Sequence, residues 1–141
     1  MVETKVIDAS GLVLGRASTV IAKRLLAGET LAIVNAERAI VLGKREIVLE
    51  QYRAAEARGS VRKGPHFPRT PERILRRSVR GMLPYKRSTG REAYSRLRTY
   101  IGVPSEFASV TAESIEVAKP RPALTPPLTL LEISRHLGAR V

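Results

Sequence analysis

The sequence predicts a single α/β domain, and three observations carry that prediction. A short strand, an amphipathic helix and a fully apolar strand follow one another within about 30 residues, the pattern of a βαβ unit. A second apolar run and a second helix come directly after. The length of 141 residues suits one domain with its own hydrophobic core, and the chain shows neither an internal repeat nor a second core.

Residues 4–8 (TKVID) form the first expected strand. Gly11 and Gly15 flank a turn, and residues 16–27 place Ala17, Ile21 and Leu25 on one helical face. Gly28 follows as a C′ glycine. Residues 31–34 are continuously apolar, as a buried parallel strand requires, and the crossover is expected to be right-handed. Residues 39–42 are a further short apolar run ended by Gly43. Residues 44–58 then carry Val48, Tyr52 and Ala55 at helical spacing. The stretch GSVRKGPHFPRT, residues 59–70, has two glycines and two prolines and reads as a basic loop.

Thr70-Pro71 is a helix start, with Thr as N-cap, Pro at the first helical position and Glu72 in the first turn. At about 100° per residue, Ile74, Leu75, Val79, Met82 and Leu83 fall on one side of this helix. Arg73, Arg76, Arg77 and Arg80 fall on the other. Gly81 and Pro84 predict an end near Arg80. Thr89-Gly90-Arg91-Glu92 matches a capping box and opens a helix with Ala93 and Leu97 inward. Residues 96–102 (RLRTYIG) fit either the last turn of that helix or a strand. Residues 118–128 (AKPRPALTPPL) read as an extended, proline-rich arm. Thr129-Leu130-Leu131-Glu132 is a second capping box, opening a short helix closed by Gly138. The expected organisation is a core over residues 1–117 with a basic segment at 53–98, followed by an arm and short helix at 118–141.

Charge is distributed unevenly. Residues 53–98 hold 14 Lys/Arg against 3 Asp/Glu, a net +11 out of a chain total of +12. A charge so concentrated repels itself unless a polyanion meets it, so nucleic acid held through phosphates is the expected ligand. The face of Arg73, Arg76, Arg77 and Arg80 lacks the Glu–Lys pairs that mark a solvated helix face. In the turn RGMLPYKRSTGR, Gly81, Pro84 and Gly90 shape the backbone while Lys86, Arg87 and Arg91 project around it as phosphate seats. The loop at 59–70 adds Arg62, Lys63, His66 and Arg69. Phe67 or His66 could stack on an unpaired base, while the alternative for Phe67 is anchoring the loop to the core.

Other classes find little support. There is no apolar run of the roughly 20 residues that a spanning helix needs, and the N-terminus MVETKVIDAS has no signal-peptide pattern, which points to a cytosolic product. The chain contains no Cys and no Trp, excluding thiol chemistry. GLVLGR, residues 11–16, matches neither a Walker loop nor a dinucleotide fingerprint. Asp8 is the single aspartate. It closes a strand, where it serves either an α/β nucleotide enzyme, together with Asn35, or the cap of the next turn through Ser10 and Gly11. A DNA regulator would need Asn or Gln on its recognition helix, and the ridge offers Arg alone.

VIDASGLVLGRAST at 6–19, IVNAE at 33–37, Gly43-Lys44, VRGMLPYK at 79–86 and RLRTYIGVP at 96–104 together resemble the large-subunit ribosomal protein L-thirteen family over residues 4 to 138. GPHFPRTPERI and LLEISRHLG resemble its archaeal branch. The resemblance implies a three-layer α/β/α fold around a four-stranded, mainly parallel sheet. It implies a structural ribosomal constituent in the cytoplasm that binds large-subunit rRNA, supports assembly and stability of the subunit, touches neighbouring ribosomal proteins, and has no enzymatic activity or cofactor. By motif, Arg80, Lys86, Arg87 and Arg91 are implied to face RNA, with Arg16 and Lys44 as lesser candidates. Gly81 and Arg98 belong to the same basic segments.

Overall fold

The computed structural model describes residues 3–58, 62, 67–121 and 126–140. β1 (Thr4–Asp8), α1 (Leu14–Leu26) and β2 (Thr30–Val34) form the expected βαβ unit, with β1 and β2 parallel and Thr4 opposite Thr30. α1 starts before Arg16 because its first buried residue is Leu14. β3 (Ile40–Val41), α2 (Arg45–Ala57), α3 (Pro71–Met82) and α4 (Ser88–Ser95) follow. RLRTYIG resolves as a strand, β4 (Leu97–Thr99), parallel to β2 with Leu31 opposite Leu97. The chain closes with β5 (Leu128–Thr129) and α5 (Leu130–His136).

The expected four-stranded sheet is replaced by two smaller ones. β1, β2 and β4 make a three-stranded parallel sheet, and β3 pairs antiparallel with β5 in a separate ribbon. The cause lies in the turn at residues 9–13. It meets the start of β3 only at an isolated bridge from Val13 to Ile40, while Leu128 and Thr129 take the remaining pairing of β3. The outer edge of β1 is bridged by Glu113, which exchanges backbone hydrogen bonds of 2.8 Å with Val6 and Asp8.

Helices are also confined to one side. Ile7, Leu31, Ile33 and Leu97 face a core completed by Ala17, Ile21 and Leu25 of α1, Ile74, Leu75 and Val79 of α3, Ala93 of α4, and Leu130 and Ile133 of α5. The opposite sheet face presents Val6, Ala32 and Val34, and Tyr100, Phe107 and Ala112 pack on it. Its cover is therefore the irregular segment after β4, including a 3₁₀ turn at Ser105–Phe107, where a helical third layer was expected. The period-2 pattern of β2 is hidden in sequence because both faces are buried.

Capping agrees with expectation at one box and departs at the other. The Thr129 hydroxyl accepts a 3.3 Å hydrogen bond from the Glu132 amide. Thr89, by contrast, lies inside α4, which begins at Ser88 with Arg87 at the N-cap position and no side-chain cap. α3 runs two residues past Arg80, through Gly81 to Met82, which is exposed rather than core.

Candidate nucleic-acid interface

α3 is held at three points along its length. Ile74, Leu75 and Val79 are buried. Its Glu72 carbonyl accepts a 2.9 Å hydrogen bond from the Thr99 hydroxyl of β4, and Ser78 lies 3.0 Å from Ser18 of α1, hydroxyl to hydroxyl. With that face fixed to sheet and α1, the arginine face is turned out. Arg73 and Arg77 are exposed. Arg76 and Arg80 are half-buried because each lays its guanidinium over a tyrosine ring. Arg76 sits 4.5 Å from the centroid of Tyr94, and Arg80 sits 3.9 Å from that of Tyr85. The two rings meet edge to face at 5.5 Å and 81°.

These side chains line a cleft of about 520 Å³. A second cleft, of about 610 Å³, adjoins it beyond Arg77, Arg80 and Tyr85, and is bounded by Gly81, Pro84, Lys86 and Arg87. The turn between α3 and α4 keeps its shape through close approach. A Cβ on the buried Gly90 would lie 2.0 Å from the Pro84 carbonyl oxygen and 2.9 Å from the Tyr85 amide nitrogen, so only glycine lets α4 begin against that peptide.

Electrostatically the surface is uncompensated. Among the described residues, no ion pair joins Arg73, Arg76, Arg77, Arg80, Lys86, Arg87 or Arg91 to an acid. Ion pairs occur elsewhere: Glu29 holds both Arg24 and Lys5, and Arg45 meets Glu132. The Nε of Arg76 is buried and makes no hydrogen bond.

Other anticipated residues are placed differently. Arg69 is paired with Glu56. Arg98 is exposed, but its register opposite Ala32 puts it on the sheet face away from α3. Lys44 is the N-cap residue of α2 and lines neither cleft. Arg16 is exposed in the first turn of α1, whose Thr19 hydroxyl reaches Met82 Sδ at 3.4 Å, so it flanks the far end of the ridge. Arg62 is exposed. Lys63 and His66 lie outside the described residues. Phe67 takes the anchoring role, packing edge to face on Tyr52 at 6.1 Å and joining the core.

Sequence reasoning missed Tyr85 and Tyr94. The chain has six aromatics in all, and the pairing of these two with Arg80 and Arg76 depends on the fold of the turn. Asp8 proves to be a turn cap. Its Oδ1 accepts from the Ser10 amide at 2.9 Å and from Asn35 Nδ2 at 3.1 Å. Partial burial pushes its pKa up, but these hydrogen bonds outweigh that and hold it below the ordinary carboxylate value. The acid that a nucleotide enzyme would use is thus engaged in local structure.

The family model described as Ribosomal protein L13 matches residues 3–106, which include the α3 ridge, the turn and α4. The chain belongs to this ribosomal protein family. Relatives within it are similar over nearly the full length. The protein of Archaeoglobus fulgidus named "Large ribosomal subunit protein uL13" is 53% identical over 137 residues, covering 96% of this chain and 88% of its own. That of Methanosarcina barkeri is 47% identical, with 96% and 98% covered. That of Methanopyrus kandleri is 45% identical over 139 residues, with 96% and 87% covered. These relatives are archaeal, in keeping with the branch that GPHFPRTPERI and LLEISRHLG resemble.

Proposed function

We propose that this protein is a structural constituent of the large ribosomal subunit that binds rRNA through the α3 ridge and the turn after it. The observation that carries this reading is the uncompensated cluster at one pair of clefts: Arg73, Arg76, Arg77, Arg80, Lys86 and Arg87, without an acidic partner among the described residues. Packed on a rigid α/β core, these cations meet phosphates with little ordering cost, and counterion release from RNA drives association. Arg91 on α4 and Arg16 on α1 extend the contact to either side, while Gly81 lets backbone approach the second cleft. Arg62, Lys63, His66, Arg69 and Arg98 belong to the same basic segment, 53–98, and serve as further RNA contacts. Lys44 serves as an outlying contact.

In this reading the protein works by binding. It stabilises the folded subunit rRNA during assembly, resides in cytoplasmic ribosomes and packs against neighbouring subunit proteins. Residues 1–117 present the basic segment, and the C-terminal part of the chain contributes Leu128, Leu130 and Ile133 to the same core. Replacing the two exposed arginines, Arg73→Glu with Arg77→Glu, is the test. Both positions lie off the buried face, so the circular dichroism spectrum stays native. The slope of log K against log[salt] for large-subunit rRNA becomes shallower by about 1 per lost phosphate contact, and the variant is stripped from the subunit by a high-salt wash that retains the parent. An unchanged slope and unchanged retention would remove the ridge from the interface.

A further inference from the structure

We propose that the paired Arg–Tyr stacks of the cleft form a binding subsite for an unpaired nucleobase, so that this surface selects RNA with an extruded or single-stranded nucleotide over continuous duplex. The inference rests on the RNA-binding reading above and specifies the ligand of that same site.

A cleft meant only for phosphates has no need of aromatic rings. Here two guanidinium groups are held over rings, at 3.9 Å for Arg80 on Tyr85 and 4.5 Å for Arg76 on Tyr94. A guanidinium held on an aromatic face is pre-organised and weakly hydrated, and its free face is planar. Bases stack on such planes as they do on aromatic rings. Arg80 and Tyr85 also form the wall shared by the two clefts, and a volume of about 520 Å³ falls in the range, roughly 300–1,000 Å³, that admits a group of small-molecule size. Arg73 and Arg77 on the rim are exposed and placed for the phosphates on either side of the seated base. Continuous duplex keeps its bases stacked internally, so it offers phosphates to the rim and nothing to the floor.

The test compares a short single-stranded uridine oligomer with a ribose-phosphate oligomer of equal length that carries no bases. The two present the same phosphates, so the ratio of their affinities reports base stacking and cancels any general change in charge attraction. The full-length protein should bind the uridine oligomer roughly tenfold more tightly, as one or two stacked bases require. Tyr85→Leu removes the ring, and Arg80→Lys keeps the charge but loses the plane. Either brings the ratio close to one. Should Tyr85→Leu lose its native circular dichroism spectrum, Arg80→Lys alone decides the point. Equal affinity for both oligomers in the parent protein, or a ratio that survives Arg80→Lys, overturns the base subsite while a steep salt dependence leaves phosphate binding standing. A flat salt dependence with both oligomers would instead overturn the RNA-binding reading itself.

Discussion

Gly90 shows how much a single absent side chain does here. Its approach to the Pro84 carbonyl leaves no room for even a methyl group, and the opposing atom is backbone, which cannot swing aside. Gly90→Ala should destabilise the fold by about 1–3 kcal/mol, the usual cost of forced overpacking, read as a lower urea midpoint with unchanged m-value. Gly81, on the same stretch, has nothing within 4 Å of its would-be Cβ, so Gly81→Ala should be neutral or slightly stabilising in the same titration. The sequence marks both residues as backbone-shaping glycines, but their difference depends on a contact six residues away that no local pattern encodes. Glu29 is a second residue with a sharp consequence. Hydrogen bonds from Arg24 and then Lys5 hold its carboxyl down at about 2, from an ordinary 4.5. A depressed folded value means that its contribution is present above pH 4.5 and is lost as pH falls toward 2. Glu29→Gln should therefore flatten the acid limb of the stability profile between those values and remove the difference from the parent at pH 2.

Elements were legible in proportion to their length and period. β2, α1, α2 and α3 announce themselves because an amphipathic face of three or more turns, or a continuous run of four apolar residues, outlasts local noise. β3 and β5 have two residues each, too few for alternation, and their pairing spans almost ninety positions of chain. No window-based reading can find such a ribbon. The two capping boxes make the same point. Thr129 and Thr89 carry the same T-x-x-E pattern, yet only Thr129 caps. α4 already begins at Ser88 with Arg87 as its N-cap, so Thr89 is the second helical residue and has no capping position to fill. Thr129→Ala should cost about 1 kcal/mol by thermal or urea unfolding. Thr89→Ala should change stability by no more than a few tenths, since alanine is the better helix former.

For the whole molecule, the charge count over residues 53–98 points to the correct segment but not to its direction in space. Arg98 faces the far side of the sheet, Arg69 is paired with Glu56, and Arg96 donates to the Leu25 carbonyl at 2.6 Å, fastening the end of α1. Linear sequence carries the sum and folding assigns the sides. A net charge of +12 also predicts opposite responses to salt. Raising ionic strength screens self-repulsion and should raise the melting temperature of the free protein, while the same salt weakens its hold on RNA. The close seating of Gly90 reaches beyond stability. Tyr85, Lys86 and Arg87 on the turn cannot shift without carrying Arg91 and Tyr94 along. Amide protons of the turn and of α4 should therefore exchange with deuterium as one cooperative block, and a ligand that grips either half will slow exchange in both.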